Sequence, residues 1–345
     1  MKYLRFFQPV LSVFLGVFLG LLVTLIAGEN PLDILRILFN SAFGSWEDFG
    51  LTLFYTTPLI FTGLSVAFAF QSGLFNIGAE GQLTLGALAA ATAGIVFPNV
   101  PWPWAPILAI FAAFGAGAFW GAIPGVLRAY RGSHEVITTI MLNFVAAGLS
   151  SWVTLYLLKN PETQNPETKA VADQYLFSHF DVFGDAPVSM ALVLAVLTAV
   201  TVAFFFSKTT LGFELKAVGQ NEQAAKFAGV KSTKIFVLSM IIAGGLAGLV
   251  GVGEVLGNAT RFKVGFSPHY GFIGIAVALL GRAKPIGVIF AALLFGALHK
   301  GTADLDFETE NVTRDLSLIL QALVILSVSA DGLWTWLKSE KRSQG

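Results

Sequence analysis

Between residues 50 and 127 the chain runs for 78 residues with one ionisable carboxylate, Glu80, and no Lys, Arg or Asp. A water-soluble fold has nowhere to put so long an uncharged stretch. A bilayer does, because one helical crossing takes about 20 apolar residues. Three helices fit, near 51–71, 77–97 and 104–127, with Pro98, Pro101, Pro103 and Pro106 breaking the chain before the last. The whole chain agrees: 55% of its residues are hydrophobic and 12% charged, about half the usual charged share of roughly 25%. The 21 basic residues are matched by 21 acidic ones, which excludes a nucleic-acid binder. With no cysteine there is no disulfide framework, zinc-thiolate site or cysteine nucleophile.

Further uncharged runs cover 6–28, 136–158, 186–207 and 235–253. The first follows Lys2 and Arg5, lacks an A-x-A-like cleavage site after Ile26, and reads as an uncleaved anchor. Residues 264–281 and 285–298 are short apolar runs parted by Arg282, Ala283 and Lys284, and read as two helices that do not each cross fully. A last run covers 316–337. The expectation is an all-α, polytopic membrane protein of about ten transmembrane helices, with a broken glycine-rich segment. Residues 1–345 would form a single transmembrane domain, with no soluble domain of 50 residues or more. With the N-terminus inside, segments 1–5, 128–135, 207–234, 282–284 and 338–345 hold 14 of the 21 Lys and Arg residues. The longer outside segments 28–50, 159–185 and 299–315 are each acidic overall. That bias predicts N-in and C-in.

No Gly-Lys pair occurs, so there is no P-loop for ATP. H-E-x-x-H and G-x-S-x-G are also missing. Passage of a solute, without catalysis, cofactor or metal, is the natural role. Glu80 lies in GLFNIGAEGQLTLGA (73–87), where Gly73, Gly78 and Gly81 surround Asn76, Glu80 and Gln82. Polar side chains at membrane depth need partners, and broken helices survive there only when buried in protein or facing a cavity. Two readings stand: a discontinuous element beside the solute path, or an ordinary turn in which Glu80 caps the next helix. Both hold if the turn dips into the membrane. Asn143 is the lone amide of VITTIMLNFVAAGLSSW (136–152), suited to an interhelical hydrogen bond or to lining a polar cavity. Glu254, after IFVLSMIIAGGLAGLVGVG (235–253), faces the outer mouth of a path or sits at the interface near Arg261. Phe75, Asn76, Glu80, Gln82, Asn143 and Glu254 are the candidate path residues.

Gly117, Gly121 and Gly125 recur every fourth residue, as do Gly244 and Gly248, which predicts close helix packing. His134, His179, His269 and His299 have no ligand spacing and read as structural or surface residues. Trp102 with Trp104, and Trp334 with Trp336, read as interfacial belts. The largest inside loop, SKTTLGFELKAVGQNEQAAKFAGVKSTK (207–234), carries five lysines. Ala224, Ala225 and Ala228 make a small-residue helical patch that Gly229 can end. Such a helix suits the groove of a partner; otherwise the loop is a solvated linker whose lysines enforce topology.

Four stretches resemble one family. GLFNIGAEGQ (73–82), EVITTIMLNF (135–144), AVGQNEQAAKFAGV (217–230) and YGFIGIAVALLGRAKPIGV (270–288) are similar, in this order, to signatures of bacterial ABC-importer permeases. The branch is that of branched-chain amino acid and ribose permeases, and within it the nucleoside-type group that works with basic-membrane-protein-type lipoproteins. Glu222 stands where many relatives have proline, and Ala283–Lys284 replaces a more usual Asn–His pair. The resemblance implies a multi-pass protein of the bacterial cell membrane that imports nucleosides. A vitamin such as riboflavin or a simple sugar is the alternative solute. An ion-coupled secondary transporter is the rival class, which would need an ionisable mid-membrane site. The partners implied are an ATP-binding subunit, a second paralogous permease in a heterodimer, an extracytoplasmic substrate-binding lipoprotein and the lipid bilayer. Gly219, Ala224, Ala225, Ala228 and Gly229 would dock the ATPase.

Overall fold

The computed structural model describes residues 2–313 and 315–329. Trp334, Trp336, the segment 338–345 and the end of the last apolar run lie outside the described residues. In chain order the helices are α1 (Lys2–Ile26), α2 (Pro31–Phe43), α3 (Trp46–Gln71), α4 (Ala79–Val96), α5 (Trp104–Arg131) and α6 (Glu135–Tyr156). They continue with α7 (Met190–Lys208), α8 (Thr210–Gln220), α9 (Glu222–Phe227), α10 (Ser232–Gly248), α11 (Tyr270–Leu280), α12 (Pro285–Gly301), α13 (Leu305–Glu308) and α14 (Leu316–Ser329). Residues 252–259 prolong α10 as a π-helical segment. Among the described residues there is no β-strand, only isolated bridges. Among the described residues six helical stretches are long and apolar enough to cross a membrane: Trp46–Gln71, Trp104–Arg131, Glu135–Tyr156, Met190–Lys208, Ser232–Ala259 and Pro285–Glu308.

Burial separates a centre from a rim. Of the most apolar window of α3, 78% is buried, as in α10 with its extension; in α6 only 17% is. Lipid is as apolar as leucine, so helices in a bilayer bury small and polar residues against one another and turn large apolar ones outward. Helix α3 does this. Thr52, Thr56, Thr57 and Thr62 are buried, and each hydroxyl donates to a backbone carbonyl. Phe144, Trp152 and Tyr156 of α6 point away from the protein.

The two glycine repeats pack against each other. Gly117 lies on Gly244 and Gly248, and Gly121 on Met240 and Gly244. A Cβ at Gly121 would overlap the Met240 carbonyl oxygen. Neither backbone can yield without parting α5 from α10, so Gly121→Leu is expected to lower stability by about 1–3 kcal/mol or more. The measurement is the thermal unfolding midpoint in detergent; an unchanged midpoint refutes the contact.

One expectation is corrected. Residues 28–50 are not plain loop but hold α2, started by Asn30, whose side chain accepts from the Leu32 N–H, and by Pro31. That pair is a helix-start signal that the charges at Asp33 and Arg36 obscured. The two short runs at 264–298 are also unequal: α11 is only 11 residues, while Pro285–Glu308 is long enough to span.

Residues 157–189 cover one end of the bundle. The Val171 N–H donates to the Thr260 carbonyl, the Phe177 N–H to Leu256, and the buried Tyr175 hydroxyl to Phe97. Arg261 Nη1 donates to Glu167 Oε1 at 2.9 Å. Burial raises the Glu167 pKa, but hydrogen bonds from Arg261 and Thr163, with the charges of Arg261 and Lys263, outweigh it and hold it below the usual 4.5. A depressed carboxylate stabilises the fold above its ordinary pKa and loses that contribution as pH falls through the lowered value. Amide exchange at Val171 and Phe177 is therefore expected to quicken as pH drops below about 4.5 beyond its intrinsic trend. Glu167→Gln should remove the acid step; an identical pH profile in the variant refutes the assignment.

Candidate functional site

Two helix N-termini meet inside the bundle. Helix α3 ends at Gln71, whose side-chain amide donates to the Ala283 carbonyl at 2.8 Å at the same end of the bundle as α8 and α9. A Cβ on Gly219 of α8 would overlap the Gln71 carbonyl. From there residues 72–78 run without helix into the bundle, and α4 starts only at Ala79. Asn143, beside Gly81, stands eight residues beyond the start of α6, about 12 Å. Gly94, at the opposite end beside Val171 and Tyr175, is fourteen residues beyond Glu80, about 21 Å. Glu80 therefore lies between the two ends of the bundle and at neither of them.

A helix start at that depth must have its N–H groups satisfied by protein. Asn143 Oδ1 accepts from the Gly81 N–H at 2.8 Å, and Asn143 Nδ2 donates to the Ile77 carbonyl at 3.0 Å. One side chain of α6 thus clamps both sides of the break. Asn76 and Gln82 pair reciprocally: Asn76 Nδ2 donates to Gln82 Oε1 at 2.8 Å, and Gln82 Nε2 to Asn76 Oδ1 at 3.1 Å. Asn76 Nδ2 also reaches Ser65 Oγ, and the Gly78 N–H reaches Asn76 Oδ1. Both amides are fully buried. They hold the break together, as does Asn143 from α6. Phe75 stacks edge-on against Phe70, ring centroids 4.8 Å apart.

Glu80 reaches out of this knot. Its Oε2 accepts from the Gly271 N–H at 2.7 Å, and the Ser267 hydroxyl bonds to the same carboxylate. Gly271 opens α11, so the carboxylate sits where the helix dipole is positive. A Cβ at Gly271 would overlap the Glu80 backbone, which is why glycine stands there. His269, in a left-handed conformation with φ 65°, turns the chain into α11 and lies close enough to Glu80 to act on its charge.

Glu254 approaches from the other side. It lies in the π-helical segment and bonds to the Tyr270 hydroxyl and the Asn258 amide. Its Oε1 is buried without a hydrogen-bond partner among the described residues. Arg261 is committed to Glu167, which overturns the reading of Glu254 as an interfacial carboxylate near Arg261. The start of α11 therefore carries one carboxylate on Gly271 and another on Tyr270. His269 was read as structural or surface, and Tyr270 and Gly271 stood only as the head of the 270–288 stretch; Ser267 carried no signal of its own.

At the α8–α9 end, Asn221 caps α9 by accepting from the Ala224 N–H at 2.9 Å. Gly229, φ 87°, ends it as expected. Ala224 and Ala228 are exposed, but Ala225 is buried against the chain itself, so the three alanines do not form one outward patch. The outward residue at the tip is Phe227, 94% exposed, which the small-residue pattern did not reveal.

The profile of the family described as branched-chain amino acid transport system / permease component matches residues 49–329. The chain is 36% identical to the nucleoside ABC transporter permease NupB of Lactococcus lactis, covering 93% of this chain and 90% of that one. It is 36% identical to the guanosine ABC transporter permease NupP of Bacillus subtilis, covering 98% and 97%. It is also 36% identical to the glucose ABC transporter permease TsgB13 of Haloferax volcanii, covering 94% and 87%. The same two bacteria hold second permeases, NupC and NupQ, that match 71% of this chain at 28% and 27% identity.

Proposed function

We infer that this chain, which belongs to the branched-chain amino acid transport system permease family, is the membrane subunit of an ATP-driven importer for nucleosides. It is a multi-pass protein of the cell membrane. The observation that carries the solute class is similarity over nearly the whole chain to two permeases named for nucleosides and guanosine. A simple sugar is the second reading, favoured by the equal identity to the glucose permease. The paired permeases of both bacteria favour a heterodimer with a second, shorter permease. An ATP-binding subunit and a substrate-binding lipoprotein complete the assembly.

In this reading the α8–α9 end is inside, as the distribution of Lys and Arg requires, and α9 receives the ATPase. The α4 and α11 N-termini meet beside the solute path. Asn76, Gln82 and Asn143 keep the break rigid, while Glu80 and Glu254 hold α11 from two sides. A helix pair joined at mid-membrane by one carboxylate can pass motion from the α9 end to the path, since α8 touches the end of α3 from which the break begins.

The test is reconstitution in proteoliposomes with the ATPase, the second permease and the binding protein. ATP-dependent guanosine uptake, with guanosine stimulating ATP hydrolysis more than glucose does, is expected. Uptake by this chain alone on a proton or sodium gradient would overturn the reading.

A further inference from the structure

A groove of about 670 Å3 opens between the end of α5 and the start of α10, away from the α4–α11 junction. Its rim carries Lys231 and Lys234, and Tyr130 stands exposed on the opposite wall. Its floor is Val237, Leu238 and Ile241. Among the described residues neither Lys231 nor Lys234 is paired with a carboxylate. A third rim lysine, Lys226, is bound to Glu222 at 2.7 Å, and Glu135 is bound to Arg128, so these acids are already paired and the rim stays cationic.

Depth separates the two chemistries. Val237 to Ile241 lie five to nine residues beyond Ser232, about 8–14 Å further along the helix. The lysines thus stand at headgroup level while the floor descends into hydrocarbon, with a tyrosine where interfacial aromatics sit. A water-soluble partner cannot follow that floor. A membrane protein covering it would need an acid at the rim and a matching apolar ridge. A molecule with an anionic head and a long apolar tail fits both halves without further assumption.

The geometry points to a binding site for one anionic phospholipid, its phosphate held by Lys231 and Lys234 and an acyl chain lying along Val237, Leu238 and Ile241. Only the leaflet, the inner one, rests on the orientation proposed above. Lipid binding in detergent does not depend on orientation, so failure of one is distinguishable from failure of the other.

The experiment is native mass spectrometry of the full chain titrated with phosphatidylglycerol or phosphatidylcholine. Wild type is expected to retain one phosphatidylglycerol at least tenfold more tightly than phosphatidylcholine, with the preference weakening in salt. Lys231→Gln with Lys234→Gln should lose that preference. Lys159→Gln, which removes one lysine at the far end, should keep it. Val237→Trp, which fills the floor and leaves the charges, should weaken both lipids and keeps the test valid if the lysine variant fails to fold. Equal retention of the two lipids by wild type, or an unchanged preference in the lysine variant, overturns the proposal. So does a lysine variant that keeps the lipid but no longer co-purifies the ATPase, which would make the groove a protein contact.

Discussion

Glu80→Ala is expected to abolish uptake, and Glu80→Gln to reduce it by about two- to thirtyfold, in membranes holding normal amounts of the protein. The carboxylate accepts from the Gly271 N–H at 2.7 Å and from Ser267, across a separation of nearly two hundred residues. Hydrogen bonds to a charged group are worth about 1.5–3 kcal/mol, and a buried donor left unpaired costs about as much again. Alanine loses both terms and leaves the Gly271 N–H without its carboxylate partner. Glutamine can still offer an oxygen to Gly271 but no longer complements the positive end of α11, a loss of about 0.3–2 kcal/mol. A shift of 1.4 kcal/mol is already tenfold. If the junction transmits motion, guanosine-stimulated ATP hydrolysis should uncouple from uptake in the glutamine variant. Normal uptake by both variants would reduce residues 73–82 to an ordinary turn.

Phe227→Asp is expected to detach the ATPase while leaving insertion and thermal stability unchanged. An aromatic ring 94% exposed at the tip of a capped helix contributes almost nothing to this chain's own packing. Burying it in a partner is worth about 1.5–3 kcal/mol, and a desolvated carboxylate in its place adds repulsion. Co-purification of the ATPase should fall at least tenfold, and substrate-stimulated ATP hydrolysis with it. Ala225→Trp should also block transport, but by a different route. Ala225 is buried beneath α9, so the indole would overpack the loop by about 1–3 kcal/mol and tilt the helix. Gly229→Trp would strain the turn at φ 87°. Lys226→Ala should do little, since its pair with Glu222 is solvent-exposed and such pairs contribute about 0.3–0.5 kcal/mol. Retention of the ATPase by both Phe227→Asp and Ala225→Trp would make 207–234 a topology linker.

The two predictions differ in how much of their basis could be read from residues alone. Glu80 among glycines was conspicuous because a charge in an apolar stretch is costly anywhere. The glycine repeats announced close packing for the same reason: backbone approach depends on each helix's own surface. Which repeat met which did not follow. Asn30–Pro31 was a start signal overlooked because charge in 28–50 resembled loop composition. Of the two readings of Glu254, the one beside Arg261 rested on nearness in sequence, seven residues, while the arginine's actual partner, Glu167, is 94 residues back along the chain. The π-helical segment carries Glu254 inward to Tyr270.

Membrane insertion, helical class, the broken segment and the unusual standing of Glu80 followed from the chain because each is a local response to solvent. An apolar stretch of sufficient length partitions into lipid and must satisfy its backbone internally, whatever its neighbours do. The inward turn of Ala225, the exposure of Phe227, the amide pair of Asn76 with Gln82 and the meeting of two carboxylates at α11 were decided by tertiary contacts. Within the bilayer, interhelical approach and polar pairing choose among many apolar surfaces that are nearly alike, so those choices appear only once the helices are packed.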